Sequence, residues 1–159
     1  RESIVSLQNE IESLQHYMEL EQLRFGNKFM FNIDIDKNII PEMIRIPPML
    51  IQPHVENAIL HGLSQKEGNG MIYIRFKSEN SHIVCEIEDN GIGRKKSVEM
   101  KEGTEGVHKS MALQIFHQRL AMLNEKNQQD IIVNIQDLQD EQQNPLGTKG
   151  IFHIPAQIN

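Results

Sequence analysis

Cysteine is nearly absent: Cys85 stands alone in 159 residues, so no disulfide framework can staple the fold. A single thiol also fits a reducing compartment. Positive charge is short as well, with 16 Lys and Arg against 22 Asp and Glu and a formal charge of −6. That balance argues against direct nucleic-acid binding, which needs clustered cations on phosphates. No apolar run approaches the roughly 18 residues of a bilayer span, and no charged-then-apolar leader opens the chain. These absences predict a soluble, cytoplasmic domain in which any bound phosphate is held locally. The chain is 38% hydrophobic, enough for one core in a domain of this size. Arg1 already falls in a helical pattern, as it would in a fragment of a longer protein.

Periodicity sets out the elements. Ile4, Leu7, Ile11, Leu14 and Met18 step by three and four with Glu2, Glu10, Glu12 and Glu19 between them, which predicts a helix whose narrow stripe packs on the parent domain. Phe29, Phe31, Ile33 and Ile35 alternate with polar residues as in a half-buried strand. Pro41, Pro47 and Pro48 predict an extended or looped stretch, with Pro48 opening a helix over Met49 to Leu63. Two alternating segments, Ile72 to Phe76 and Ile83 to Ile87, flank a hairpin turn at Ser78 to Ser81. The polar span from Arg94 to Lys109 has no periodicity and reads as a long loop. A helix from Met111 to Leu123 follows, then strands Ile131 to Ile135 and Lys149 to Ile154 around a loop through Asn144, Pro145 and Gly147. This order predicts a two-layer α/β sandwich with a mixed, mainly antiparallel sheet packed on helices.

Three short constellations could carry chemistry. Asp89-Asn90-Gly91-Ile92-Gly93 follows a hydrophobic strand, where glycines admit a flat ligand and a carboxylate can accept from an exocyclic amine. Glu56-Asn57-Ala58 lies on the central helix, and an Asn oxygen is a hard, neutral ligand suited to Mg²⁺. Gly147-Thr148 leads into the last strand, where a hydroxyl could bridge Asp89 to a ring edge. Each also has an ordinary structural reading: a tight turn, a capping Asn, a turn entering a β-branched strand.

Their order, however, resembles the ATP-binding domain shared by gyrase, Hsp90, MutL and the sensor histidine kinases, the GHKL superfamily with its Bergerat fold. The run from Pro47 to Gly62, PPMLIQPHVENAILHG, resembles more particularly the LytS/YehU-type sensor histidine kinases, with their P-x-x-x-x-Q-P-x-V-E-N-A-x-x-H-G pattern. Tyr17 to Phe25 is similar to that family's Y-x-x-x-E-x-x-R-F, and Gln118-Arg119-Leu120 also agrees.

The resemblance implies ATP and Mg²⁺ as cofactors. It implies Asn57 as metal ligand, Asn57, Glu56 and His61 as the catalytic set, Asp89 as adenine reader, Gly91 and Gly93 as close-approach glycines, and Thr148 as partner of Asp89. Residues 94–110 would form a lid, with Lys109, Ser110, Ala112 and Leu113 near phosphate at a helix start whose free N–H groups favour anions. Leu60 stands where many such kinases carry Lys, and Ser110-Met111-Ala112-Leu113 replaces their glycine pair. Pro53 occupies the place of the water-activating carboxylate of the gyrase-like enzymes, so rapid hydrolysis is not expected.

The implied activity is transfer of the γ-phosphoryl group of ATP to a histidine outside this chain, with residues 1–25 as a connector from a missing phospho-acceptor and dimerisation region and 26–159 as the catalytic domain. The implied partners are that upstream histidine helix, a second copy in the full-length homodimer, and a response regulator, often of LytTR type; the parent would usually be membrane-anchored. His54 lies inside the nucleotide-binding helix and is not read as the acceptor. His54 and His61 lack a third ligand for zinc, and the eight methionines read as core or pocket filling. A degenerate nucleotide-sensing module and a serine kinase of the anti-sigma type are the other readings.

Overall fold

The computed structural model describes residues 4–94, 104–127, 130–155 and 157–158. In chain order the strands are Val5–Ser6 (β1), Phe29–Ile35 (β2), Ile44–Ile46 (β3), Gly70–Glu79 (β4), His82–Asp89 (β5), Ile132–Gln139 (β6), Pro145–Pro155 (β7) and Gln157–Ile158 (β8). The helices are Leu7–Arg24 (α1), Gln52–Asn57 (α2) and Thr104–Asn127 (α3), and α2 runs directly into a π-helical segment, Ala58–Leu63.

Five strands form the main sheet in the order β2-β4-β5-β7-β6. Only β2 and β4 pair parallel in it; the other pairs are antiparallel. Because side chains alternate along a strand, one face collects Phe29, Ile72, Ile74, Phe76, Ile83, Cys85, Ile87, Phe152 and Ile154, all buried. Leu7, Ile11, Leu14 and Met18 of α1, with Ile51, Val55, Ile59, Leu63 and Phe116, belong to the same core. The opposite face holds charges: Glu86 meets Lys77 at 3.2 Å and Arg75 and Lys149 at 3.7 Å each. The architecture is thus the two-layer sandwich with a mixed, mainly antiparallel sheet. The hairpin between β4 and β5 turns on Asn80 and Ser81, both at positive φ (47° and 67°), the sense that matches strand twist.

Several sequence expectations are corrected. The first helix does not reach back to Arg1: Val5–Ser6 pairs with Ile46 and Arg45, and Ser6 caps α1, its Oγ accepting from the Asn9 N–H at 3.0 Å. The next helix opens at Gln52 rather than Met49, because Met49 adopts φ +58° and cannot be helical. The N-terminal proline is therefore Pro53 and not Pro48. The helix expected from Met111 begins at Thr104, so the loop expected to run from Arg94 to Lys109 ends earlier, and its residues 95–103 lie outside the described ones. Strands β6 and β7 are longer than expected and include Pro145 and Gly147. The turn between them is organised by Asp140, whose carboxylate accepts from the N–H groups of Gln142 and Asn144, both at 2.9 Å. A small sheet, β1-β3-β8, went unread in the sequence. No helix among the described residues is long and apolar enough to cross a membrane.

Candidate functional site

At the end of β5 the chain leaves the sheet through Asp89-Asn90-Gly91-Ile92-Gly93 and passes beside the π-helical segment. Asn90 pins the loop: its side-chain oxygen accepts from the Met71 N–H at 2.7 Å and its own N–H donates to the Met71 carbonyl at 3.2 Å. The Ile92 N–H donates to the Gly62 carbonyl at 3.3 Å. Backbone meets backbone there, for a Cβ on Gly91 would lie 2.6 Å from the Gly62 carbonyl carbon. Asp89 is only 5% exposed, and its Oδ1 accepts from the Gly91 N–H at 2.8 Å, which fixes the plane of the carboxylate.

A cleft of about 620 Å³, its solvent mouth included, opens between this loop, the α2–π helix and the sheet. Asn57, at the α-to-π junction, and His61 line it from the helix; Asp89 and Gly93 line it from the loop. Thr148 joins them from β7, where it is the register partner of Asp89. The structure thus brings Asn57, His61, Asp89, Gly93 and Thr148 to one cavity, with Gly91 packed behind against Gly62. Local π-helix in place of α-helix is frequent at functional sites. Here the Ser64 N–H reaches back to the Ile59 carbonyl at 2.9 Å and the Ser64 hydroxyl donates to the Leu60 carbonyl at 2.6 Å.

Glu56 is not among the cleft's lining residues; its carboxylate accepts from Gln52 Nε2 at 3.1 Å. Its charge adds to burial and Glu21 in raising the Tyr17 pKa. The Tyr17-to-Phe25 motif forms one connected row: Tyr17 Oη donates to Glu21 Oε2 at 3.1 Å, Glu21 pairs with Arg24 at 3.6 Å, and the Arg24 guanidinium sits 5.4 Å from the Phe25 ring centre. Lys109, Ser110, Ala112 and Leu113 do not stand at a helix start. With α3 beginning at Thr104, they fall in its second and third turns, beyond the unpaired N–H groups of the first. Their side chains lie outside the described residues.

Arg94, expected as the first residue of the lid, and His54 are among the further residues that line the cleft. Arg94 donates a fork to Asp137 on β6, Nε to Oδ1 at 2.8 Å and Nη2 to Oδ2 at 2.9 Å, and this raises the Arg94 pKa and lowers that of Asp137. Both are nearly half exposed, so the pair is worth at most about 1 kcal/mol. His54 forms an apolar wall, its ring edge-on to Phe116 at 4.6 Å and to Phe152 at 4.7 Å. The only local signal for Arg94 was its place directly after Gly93; His54 gave none, since its partners are far away in sequence.

Burial, assisted by His117, holds the His54 pKa down to about 4, from an ordinary 6.5. A folded pKa below the unfolded one means that the unfolded chain binds the extra proton, so this contribution is complete above pH 6.5 and is lost as pH falls toward 4. Between pH 7 and 5 the loss is about 2 kcal/mol. Urea unfolding at those pH values should show this difference for the native chain and its absence in His54→Leu; equal pH slopes would remove the assignment.

The donor set suits a nucleotide with Mg²⁺. Ala58, Ile87 and Ile135 supply apolar walls for a flat ring, Asp89 an acceptor at the buried end, and Asn57 one hard oxygen. Among the described residues no group of three or more His, Cys, Asp or Glu could cage a metal.

No protein-family model matches the chain. Among curated proteins it is 36% identical over 120 residues to the uncharacterized protein YwpD of Bacillus subtilis, covering 74% of this chain and 42% of YwpD. It is 34% identical over 134 residues to sensor protein LytS of Oceanobacillus iheyensis, covering 80% of this chain and 23% of LytS. Sensor histidine kinase YpdA of Escherichia coli is 30% identical over 154 residues, 96% of this chain and 25% of YpdA. The chain therefore spans less than half the length of these relatives. The mycobacterial sensor histidine kinase MprB superposes with a TM-score of 0.63 at 13% identity, covering 100% of both chains. Histidine kinase ThkA, solved in complex with response regulator protein TrrA, superposes at 0.57 with 17% identity, covering 97% of this chain and 41% of ThkA. The fold is the Bergerat, or GHKL, histidine-kinase fold. Over most of its length the chain is similar in sequence to one part of the sensor proteins LytS and YpdA.

Proposed function

We propose that this domain binds Mg·ATP in the cleft and presents the γ-phosphoryl group to a histidine outside residues 1–159. The observation that carries the reading is that Asp89 and Asn57, from different elements, line one cavity. When bound, ATP supplies the phosphoryl group and Mg²⁺ spreads its charge; what the protein contributes to such a transfer is positioning and electrostatics. Asp89 accepts from the purine's exocyclic amine, and Thr148 supports it across the strand pair. Asn57 would offer its oxygen to the metal, and His61, one turn further along the helix, would contact phosphate. Glu56 does not line the cleft and is held by Gln52 on the same helix. Residues 94–110, with Lys109, Ser110, Ala112 and Leu113 at their end, are proposed to cover the nucleotide.

Residues 1–25 are proposed as the connector from a phospho-acceptor region, with 26–159 as the catalytic unit of a membrane-anchored, homodimeric parent. The TrrA complex of ThkA supports a response-regulator partner, and one of LytTR type is proposed. Incubation with γ-labelled ATP tests the proposal. Acid-labile label should appear on an added helical hairpin bearing an acceptor histidine and not on this chain by itself. Label accumulating on the chain would overturn the assignment of the acceptor. Leu60, in the place of a phosphate-contacting Lys, favours a second reading as a nucleotide-sensing module, which ATP binding without any transfer would support.

A further inference from the structure

Arg119, of the Gln118-Arg119-Leu120 motif, lies far from the Asn57 helix in sequence and does not line the cleft. It reaches the turn that launches that helix. Its Nη1 donates to the Met49 carbonyl at 3.0 Å and its Nη2 to the Pro48 carbonyl. From the other side comes Glu10 of α1, only 4% exposed. Burial raises its pKa, against the lowering effect of the Met49, Ile51 and Leu50 backbone and of the Arg119 charge. Oε2 of Glu10 has no hydrogen-bond partner in the described structure.

The two residues divide the polarity of a single turn. Met49 at φ +58° breaks the helical path two residues before Ile51, which is already at φ −94°, ψ −38°. The Pro48 and Met49 carbonyls meet a planar guanidinium fork. Leu50 and Ile51 are fully buried, so this turn cannot shift without disturbing the core. Helix α2 starts at the next residue, Gln52, and carries Asn57. A buried carboxylate with an unpartnered oxygen is expensive, and apolar packing alone would hold a turn at lower cost.

We infer that Glu10 and Arg119 are positioning residues: they clamp residues 48–51 from α1 and α3 and so set where Asn57 stands in the cleft. The clamp itself is a matter of geometry; its effect on Mg²⁺ rests on the function proposed above. Arg119→Lys keeps the charge and loses the fork, while Glu10→Gln keeps the shape and loses the charge. Amide hydrogen exchange without nucleotide should be about 10-fold faster over 52–63 in either variant, with β5 unchanged. Unchanged exchange, or uniform acceleration that includes β5, overturns the clamp. The affinity gain that Mg²⁺ gives ATP should fall about 10-fold while Mg-free affinity is kept, a split that general destabilisation does not produce. If the native chain shows no Mg²⁺ gain, the nucleotide reading fails and the exchange data still decide the clamp.

Discussion

Asp89→Asn should lower ATP affinity by about 100-fold or more without unfolding the domain. In the native structure Oδ1 of Asp89 accepts from the Gly91 N–H at 2.8 Å, and an ionised carboxylate has only acceptors to offer the cleft. An amide that keeps the Gly91 bond through its oxygen must turn its NH₂ group toward the ligand. It would then face the exocyclic amine of adenine, donor against donor, at a buried position. Guanine carries a carbonyl at the corresponding ring position, so the same variant should shift the ATP-to-GTP preference toward GTP. Calorimetric titration with both nucleotides measures this. Unchanged ATP affinity in the variant would mean that Asp89 does not read the base.

The largest stability effect is expected from Gly147→Ala. A Cβ there would lie 1.9 Å from the Asp89 carbonyl oxygen and 2.8 Å from its carbon, at φ +134°. No rotamer relieves a clash between Cβ and backbone, so β5 and β7 would have to part where Asp89 faces Thr148. Strain of this kind costs on the order of 3 kcal/mol or more, about 10 °C in thermal midpoint for a chain of this length. Gly68→Ala is the matched control, since Gly68 also has positive φ, +81°, but its Cβ would meet nothing within 4 Å. It should lose about 1 kcal/mol from backbone conformation only. Equal midpoints for the two variants, followed by circular dichroism, would refute the close approach.

What could be read from the sequence was whatever repeats locally. The alternations at Phe29–Ile35, Ile72–Phe76 and Ile83–Ile87 marked three strands of the main sheet, and the stripe through Leu7, Ile11, Leu14 and Met18 marked α1. The residues brought to the cleft together, Asn57, His61, Asp89, Gly93 and Thr148, were legible through motif order, although each motif alone also reads as a turn or a cap. Features set by distant partners were not legible. Glu10 reads as one charge among several on a solvated helix face, yet the turn at Met49–Ile51 buries it. The left-handed Met49 carries no glycine or asparagine to announce it. Arg94 meets Asp137 across 43 residues, and His54 acquires its environment from Phe116 and Phe152. The start of α3 was misplaced because the residues after Thr104 show no apolar period.

The most direct test of the shared cavity is an equilibrium titration of the unaltered chain with ATP, once with Mg²⁺ and once with a chelator. Saturable binding that tightens with Mg²⁺, and loses that tightening in Asn57→Ala, is the expected result. Binding indifferent to both the metal and Asn57, or no binding at all, would contradict it.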